Sequence, residues 1–211
     1  TPRIYSVAAR NGVGGGPYLP AATGAQTLII QSIGDQVQVP NPNYCNPAAG
    51  TCPAGADTVN KLIARDYGFG SNPTVKLVAA DGTEHLLTGV TGTAVNISGT
   101  VPSLPNGTYQ LVVTRNNGLS SLNGVTVQIG LPPGAGVTQV TPSSQPLATP
   151  IQNAIDAAGP NDLILVSPGQ YAEMVIMWKP VRLQGWGEGT IINAIKAPAE
   201  KLANWRLKVE N

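Results

Sequence analysis

Short segments of alternating apolar and polar residues, separated by turn-forming residues, recur along the first 130 residues. In 109–114 every second side chain is apolar, so one face of a strand can be buried while the other contacts water. Asn-Gly pairs, the strongest local hairpin signal, stand at 106–107, 117–118 and 123–124. The pattern predicts strands joined as a β-sandwich. These predicted strands are 27–31, 36–39, 60–65, 74–78, 94–98, 109–114 and 124–129.

A different pattern begins at Thr149. Thr149 and Pro150 suit the N-cap and first positions of a helix, and the apolar residues that follow predict a short amphipathic helix over 150–158. The segments 163–169 and 181–187 then repeat one design, an apolar run closed by a glycine-containing corner. Repeats this short cannot bury their own apolar side, so they are predicted to stack as rungs of a solenoid.

Composition and charge exclude several classes of protein. The 211 residues are 42% hydrophobic and 11% charged, which is enough for a buried core and an unusually uncharged surface. Twelve Lys and Arg balance eleven Asp and Glu without a basic stripe, so we expect no nucleic-acid partner. We also expect no membrane span, because no apolar run approaches the length of one. One His, two Cys and two Met are too few for a transition-metal centre, and we expect no metal or cofactor.

The two cysteines lie in a loop rich in Pro, Gly and Asn. Six residues separate Cys45 from Cys52, which is not the spacing of a C-x-x-C redox motif, and no His or further Cys is near. We predict a disulfide, with a redox or metal-binding pair as the disfavoured alternative. A disulfide implies an oxidising compartment, so we expect a secreted protein or one on the outer cell surface.

Three segments together resemble an IPT/TIG-type immunoglobulin-like domain. The resemblance covers residues 1–130, with 15–58 as a poorly matching insertion and Tyr67 in place of a usual small residue. It implies an Ig-like β-sandwich of the kind that serves as a spacer or adhesion module on bacterial surface proteins, with no catalytic residue to transfer. The segments are I-x-x-V at 4–7, the G-x-G-F-G-x-x-P-x-V turn ending at residue 75, and the hairpin 101–113.

The segment 151–173 resembles the start of a right-handed parallel β-helix of the pectin-lyase-like class. It carries the pattern I-Q-x-A-I-D-A-A-x-x-x-D-x-I-x-V-x-P-G-x-Y-x-E, and the resemblance makes the helix an N-terminal cap for the first rungs within 149–211, after a linker at 131–148. Two rungs leave an open edge. Either the tail 197–209 folds back over it, or the chain is the leading piece of a longer protein, which we favour.

Candidate catalytic residues are few. His85 stands alone in a predicted turn, and no nucleophile motif accompanies it. Asp162, Glu173, Lys179 and Arg182 lie in the rung region, but the catalytic groups of β-helix enzymes lie in central rungs that this sequence does not match. Turn capping explains Asp162 and Glu173. We therefore predict no catalytic residue in this segment.

The tryptophans are the candidate carbohydrate contacts, because an indole face complements the C–H side of a pyranose. Trp186 stands between two glycines at a predicted corner, where we expect exposure, and Trp178 lies shortly before the second rung. We expect Trp205 to pack over the open end. Packing within the fold is the favoured alternative for all three.

These observations predict an all-β protein that acts as an extracellular or cell-surface structural or adhesive scaffold without catalysis of its own. Its expected partners are a polysaccharide or a neighbouring surface protein. Two alternatives stay open. One is the non-catalytic N-terminal part of a polysaccharide-degrading β-helix enzyme, and the other is a subunit that self-associates through open β edges into a fibre or layer.

Overall fold

The computed structural model describes residues 1–10, 15–21, 25–145, 148–194 and 206. The chain is mostly β, with 41% strand and 6% helix, which confirms the all-β class. Helix α1 covers Pro150–Ala157, and a 3-10 turn covers Pro47–Ala49. Strands β1 to β16 are, in chain order, Ile4–Ala9, Tyr18–Leu19, Gln26–Ser32, Val37–Pro40, Leu62–Arg65, Thr74–Val78, Glu84–Leu86, Thr88–Gly92, Asn96–Val101, Gly107–Thr114, Val125–Ile129, Val137–Val140, Leu163–Val166, Gly169–Tyr171, Arg182–Gly185 and Thr190–Ile192.

Two sheets from the first 130 residues share one apolar core. The first sheet has the antiparallel order β1-β3-β9-β8, and the second has the order β2-β11-β10-β6-β7, with β2 parallel to β11. Alternate residues of β10 point into the core, as the sequence pattern predicts. Both sheets contribute to a single buried cluster, with members such as Leu28, Ile30, Phe69, Leu77, Leu111 and Val127.

The strands after residue 136 pair in parallel. A third sheet has the order β12-β13-β15, and β14 pairs with β16. Leu163 of β13 stands opposite Arg182 of β15, so the second apolar run lies beside the first with a fixed offset along the chain. All four residues of β13 are buried. One of its faces packs on α1 and the other faces the second sheet, which explains why it has no polar position.

The β4–β5 hairpin forms a separate two-stranded sheet and carries the cysteine loop at its tip. Cys45 and Cys52 form the predicted disulfide, with their Cα atoms 5.7 Å apart. Asp57 organises the loop, because its carboxylate accepts the backbone N–H groups of Val59 and Asn60 at 2.9 and 2.8 Å. These two bonds lower the pKa of Asp57, with the Asn60 bond as the larger cause.

Several elements differ from the sequence prediction. The segment 131–148 contains β12, and the segment 15–58 contains β3, an inner strand of the first sheet. The short strands β2, β7, β8 and β14 carry no clear periodicity and were not predicted. The tail 197–209, including Trp205, lies outside the described residues. No helix in the described part of the chain is long and apolar enough to cross a membrane.

Candidate functional site

The carboxylate of Asp162 holds two backbone segments together. Its Oδ1 accepts the N–H of Gly136 at 2.6 Å, and its Oδ2 accepts the N–H of Gly159 at 2.7 Å. These bonds lower the pKa of Asp162, with Gly136 as the largest cause, and the charge of Lys179 adds to the effect. Asp162 thus joins the segment before β12 to the end of α1.

Glu173 is fully buried and caps helix α1. Its two carboxylate oxygens accept the backbone N–H groups of Ile151 and Gln152 at 2.9 and 3.0 Å. A negative charge at this position also complements the helix dipole. Thr149 occupies the N-cap position and Pro150 the first turn, as predicted, but the Thr149 side chain makes no capping bond. The Glu173 carboxylate, which comes later in the chain, accepts these N–H groups instead.

Lys179 binds the other end of α1. Its Nζ donates to the carbonyl oxygens of Asp156 and Ala158 at 2.7 and 2.8 Å. The same ammonium lies over the Trp178 ring, 4.6 Å from the ring centroid. The indole N–H of Trp178 donates to Oδ1 of Asp156 at 2.8 Å. Trp178 and Lys179 therefore form one cluster with the last turn of the helix.

Arg182 and Gln184 bind the second sheet. Arg182 Nη1 donates to Oε1 of Gln128 at 2.7 Å, and Gln184 Nε2 donates to the carbonyl oxygen of Thr126 at 2.6 Å. Gln128 itself is buried. Both residues of β15 thus contact β11 across the boundary between the antiparallel sheets and the parallel strands. Asp162, Glu173 and Lys179 bind backbone groups, and Arg182 binds Gln128. Asp162 and Lys179 both lie at the end of α1, where the charge of Lys179 acts on the Asp162 carboxylate.

Trp186 packs inside the same boundary. It contacts the apolar cluster of Tyr18, Leu163 and Leu165 and is partly buried. A Cβ atom built on Gly16 would lie 2.4 Å from its indole nitrogen, so the Gly16 backbone directly covers the ring. Trp186 is therefore partly buried, although its place between two glycines at a corner predicted exposure.

The turn at 186–189 binds the backbone of β1. The N–H of Val7 donates to the Trp186 carbonyl at 2.8 Å. The N–H groups of Glu188 and Gly189 donate to the carbonyls of Ile4 and Tyr5 at 3.1 and 2.9 Å. We call these three bonds the β1–186 junction. They cover the outer edge of β1.

Glu188 adds side-chain contacts to the junction. Its Oε2 lies 2.6 Å from Arg3 Nη2, and its Oε1 accepts bonds from Arg3 Nε and Asn123 Nδ2. The bond and the charge of Glu188 raise the pKa of Arg3. The sequence contained no signal for this residue, because its partners lie far away along the chain.

His85 lies on β7 and not in a turn, which corrects the sequence interpretation. It stands opposite Leu77, is half-buried, and its ring meets the Tyr109 ring edge-on with 6.0 Å between centroids. Within the described ranges, no group of three or more His, Cys, Asp or Glu side chains is arranged to hold a metal ion.

The cysteine loop encloses an open cleft of about 670 Å³. Its lining includes Tyr44 and Pro53 as well as the polar side chains of Asn43, Asn46 and Thr51. Lys61 lies 5.9 Å from the centroid of the Tyr44 ring. The loop presents a surface fixed by the disulfide, but its lining brings no acid–base pair together.

No protein-family model matches the chain, and no curated protein matches it significantly in sequence. Inferences about function therefore rest on the geometry described above.

Proposed function

We propose that this chain is a structural scaffold module of a secreted or cell-surface protein, in which an Ig-like sandwich is rigidly joined to the first rungs of a parallel β-helix. The observation that carries the proposal is the β1–186 junction. Backbone hydrogen bonds join the turn between β15 and β16 to the outer edge of β1, so the two parts are in direct backbone contact and are not linked only by a connecting segment.

Side chains strengthen this connection. Arg182 and Gln184 bind β11, and Glu188 binds Arg3 within 2.6 Å. These contacts are polar and specific in direction, while Tyr18, Leu163 and Leu165, with Trp186 packed against them, form the apolar part of the boundary. Such a boundary restrains both the distance and the orientation of its two parts, which is what a spacer requires.

Two further contacts support the Ig-like part of the proposal. The hydroxyl of Tyr109 donates to the carbonyl of Pro105, four residues upstream, at 2.9 Å. A tyrosine bonded back to the upstream backbone in this way is a recurring feature of immunoglobulin-like sandwiches. The Cys45–Cys52 disulfide supports an oxidising location.

The hydrogen bonds of the four charged side chains between residues 162 and 182 favour a scaffold over an enzyme. Asp162, Glu173 and Lys179 bind backbone groups at the two ends of α1 or beside it, and Arg182 binds Gln128. A catalytic pair must instead converge on a shared substrate position. The charges of this region therefore act in the architecture of the first rungs.

A distance measurement between spin labels tests the rigid junction. Thr88 on β8 and Ala157 at the end of α1 are both exposed, so Thr88→Cys and Ala157→Cys carry nitroxides on opposite sides of the boundary. We expect a single narrow distance distribution from electron double resonance under non-reducing conditions. A broad or multiple distribution in the parent protein would refute the scaffold proposal.

A pair of glycine variants gives the matched control. Gly187 has φ +153°, and a Cβ there would lie 2.5 Å from the carbonyl oxygen of Tyr5 on β1. Gly50 has nearly the same φ, +151°, but a Cβ there meets nothing within 4 Å. Gly187→Ala should broaden the distance distribution because it pushes the rung away from β1. Gly50→Ala, with the same backbone strain, should leave the distribution unchanged.

Self-association is a second candidate, favoured by the strands at the edges of the sheets. Strand β8 ends the first sheet and β7 ends the second, and Leu86 of β7 is 61% exposed. A sheet edge offers unpaired backbone groups to another chain. Sedimentation over a range of concentrations tests this candidate. A constant monomer mass at high concentration would exclude it and would leave the scaffold proposal intact.

A further inference from the structure

We propose that Asn123 is a site of spontaneous deamidation, and that the carboxylate formed there weakens the β1–186 junction by repelling Glu188. Asn123 and Gly124 form an Asn-Gly pair in the exposed segment between β10 and β11. Asn123 Nδ2 donates to Oε1 of Glu188, whose own N–H makes one of the junction bonds. The reaction at Asn123 does not depend on the scaffold proposal, whereas its effect acts on the junction on which that proposal rests.

The reaction needs only the residues of the pair and water. The Gly124 nitrogen attacks Cγ of Asn123, loses its proton to solvent and closes a succinimide ring, while the side-chain nitrogen takes up a proton and leaves as ammonia. Water then adds to one of the two ring carbonyls and breaks its bond to the Gly124 nitrogen. The product is aspartate or isoaspartate, depending on which carbonyl is attacked. Glycine favours the ring closure because it has no Cβ to hinder the approach.

The structure distinguishes Asn123 from the two other Asn-Gly pairs within the described ranges. At the pair 117–118, the N–H of Gly118 donates to the carbonyl oxygen of Arg115 at 3.0 Å. The side chain of Asn117 is also held, because its Oδ1 accepts the N–H of Leu119 at 3.2 Å. The attacking nitrogen and the amide that it must reach are therefore both engaged in the turn.

The pair 106–107 is held by strand pairing. Gly107 is the first residue of β10 and stands opposite Ile129 of β11. The side chain of Asn106 lies against Gly130, where an added Cβ would be 2.4 Å from its Cγ. The backbone of Gly107 must leave the sheet before its nitrogen can turn toward the Asn106 amide.

The backbone of Gly124 has no comparable restraint. Its N–H donates to no acceptor among the residues that the structure describes, and Asn123 and Gly124 are both exposed. The φ of Gly124 is not positive, and a Cβ there would lie 2.5 Å from Oε1 at the end of the flexible Gln110 side chain. Alanine can therefore replace Gly124 after a small movement of Gln110, which gives a variant that hinders ring closure and keeps Asn123.

A carboxylate at position 123 would face the carboxylate of Glu188. In the native cluster one anion balances one cation, because Glu188 Oε2 lies 2.6 Å from Nη2 of Arg3. Deamidation removes the donor of Asn123 and adds a second negative charge, and two like charges in contact repel each other. The N–H groups of Glu188 and Gly189 are bonded to β1, so displacement of Glu188 should loosen these bonds.

Incubation of the folded protein at mildly alkaline pH tests the reaction, with peptide mapping by mass spectrometry at the three asparagines. Asn123 should react roughly fivefold faster than Asn106 or Asn117, because strand or turn hydrogen bonds must open first at those two positions. In urea, where the fold is lost, the three rates should become similar. Gly124→Ala should lose most of the reaction at Asn123 and leave the other two rates unchanged. Folded-state deamidation of Asn123 no faster than that of Asn117 would overturn the proposal, as would an unchanged rate in Gly124→Ala.

Two variants separate the new charge from the lost hydrogen bond. Asn123→Asp carries both changes, and Asn123→Ala carries only the second. At low salt, the amides of Glu188 and Gly189 should exchange roughly threefold faster in Asn123→Asp than in Asn123→Ala, as expected for one partly exposed charge pair. The difference should shrink at high salt, which screens the repulsion. Equal exchange in the two variants at low salt, measured by NMR, would overturn the effect on the junction. The spin-label distances are measured on unmodified protein, so they judge the scaffold proposal separately.

Discussion

The buried carboxylate of Glu173 accepts the backbone N–H of Gln152 at 3.0 Å, across 21 positions of the chain. Its second oxygen accepts the N–H of Ile151. The start of helix α1 is thus completed by the segment that follows β14. The first N–H groups of the helix have no partner within the helix, so they depend on this segment for their hydrogen bonds.

Glu173→Gln should destabilise the protein by about 1–3 kcal/mol, because one oxygen becomes an amide N–H that faces a buried donor. Chemical unfolding followed by tryptophan fluorescence measures the loss. Thr149→Ala is the matched control, since the Thr149 side chain makes no bond to the helix backbone. It should change the free energy of unfolding by less than about 0.5 kcal/mol. A larger loss in Thr149→Ala than in Glu173→Gln would contradict this account of the cap.

Gly16→Ala should destabilise the protein more than Gly82→Ala. Both glycines have positive φ, +62° and +86°, so both substitutions carry the cost of a left-handed backbone, about 1–2 kcal/mol. A Cβ at position 82 meets nothing within 4 Å, whereas at position 16 it would lie 2.4 Å from the Trp186 indole nitrogen. The difference between the two melting temperatures isolates the packing on Trp186. Equal losses would show that this contact contributes nothing.

Local pattern was sufficient to predict much of the secondary structure. The predicted strand 74–78 coincides with β6, and helix α1 ends one residue before its predicted end. Alternation and a helical face are properties of neighbouring residues, so they can be found in a single sequence. Strand β12 gave no such signal, because only two of its four residues are apolar and its pairing partner β13 lies after the helix.

The candidate site could be predicted only in part. The disulfide followed from two cysteines in one loop, and the structural use of Asp162 followed from its position near a turn. The β1–186 junction pairs residues near the start of the chain with Trp186 to Gly189, and no spacing rule connects them. The burial of Trp186 likewise depends on the backbone of Gly16, which covers its ring from a distant part of the chain.

Acid should reduce the stability of the protein through Asp162. Hydrogen bonds from Gly136 and Gly159 lower the pKa of Asp162 in the folded state, so the unfolded chain binds the proton first as the pH falls. The contribution of this carboxylate is complete above the unfolded pKa, near pH 4, and is lost as the pH falls through the lower folded pKa.

Asp162→Asn tests this pH dependence. The amide has one acceptor oxygen, so one of the two glycine N–H groups loses its partner. At pH 7 the variant should be less stable by up to about 1 kcal/mol, since solvent screens part of the interaction. Urea unfolding at several pH values should show this difference shrinking toward pH 3. A difference that stays constant with pH would contradict the role of the charge.

Reduction of the Cys45–Cys52 disulfide should loosen the β4–β5 hairpin without unfolding the rest of the protein. The disulfide closes a short loop, and it should stabilise this part of the protein by about 2–3 kcal/mol because it lowers the entropy of the unfolded chain. Strands β4 and β5 contribute no residue to the three buried apolar clusters in the described part of the chain. The loss should therefore stay within the hairpin.

Hydrogen exchange measured by mass spectrometry should show lower protection at Val37–Pro40 and Leu62–Arg65 after reduction, with unchanged protection in β10 and β13. A Cys45→Ala, Cys52→Ala double variant controls for the reductant, because its exchange should not respond to it. Global loss of protection in the reduced native protein would show that the loop supports the core.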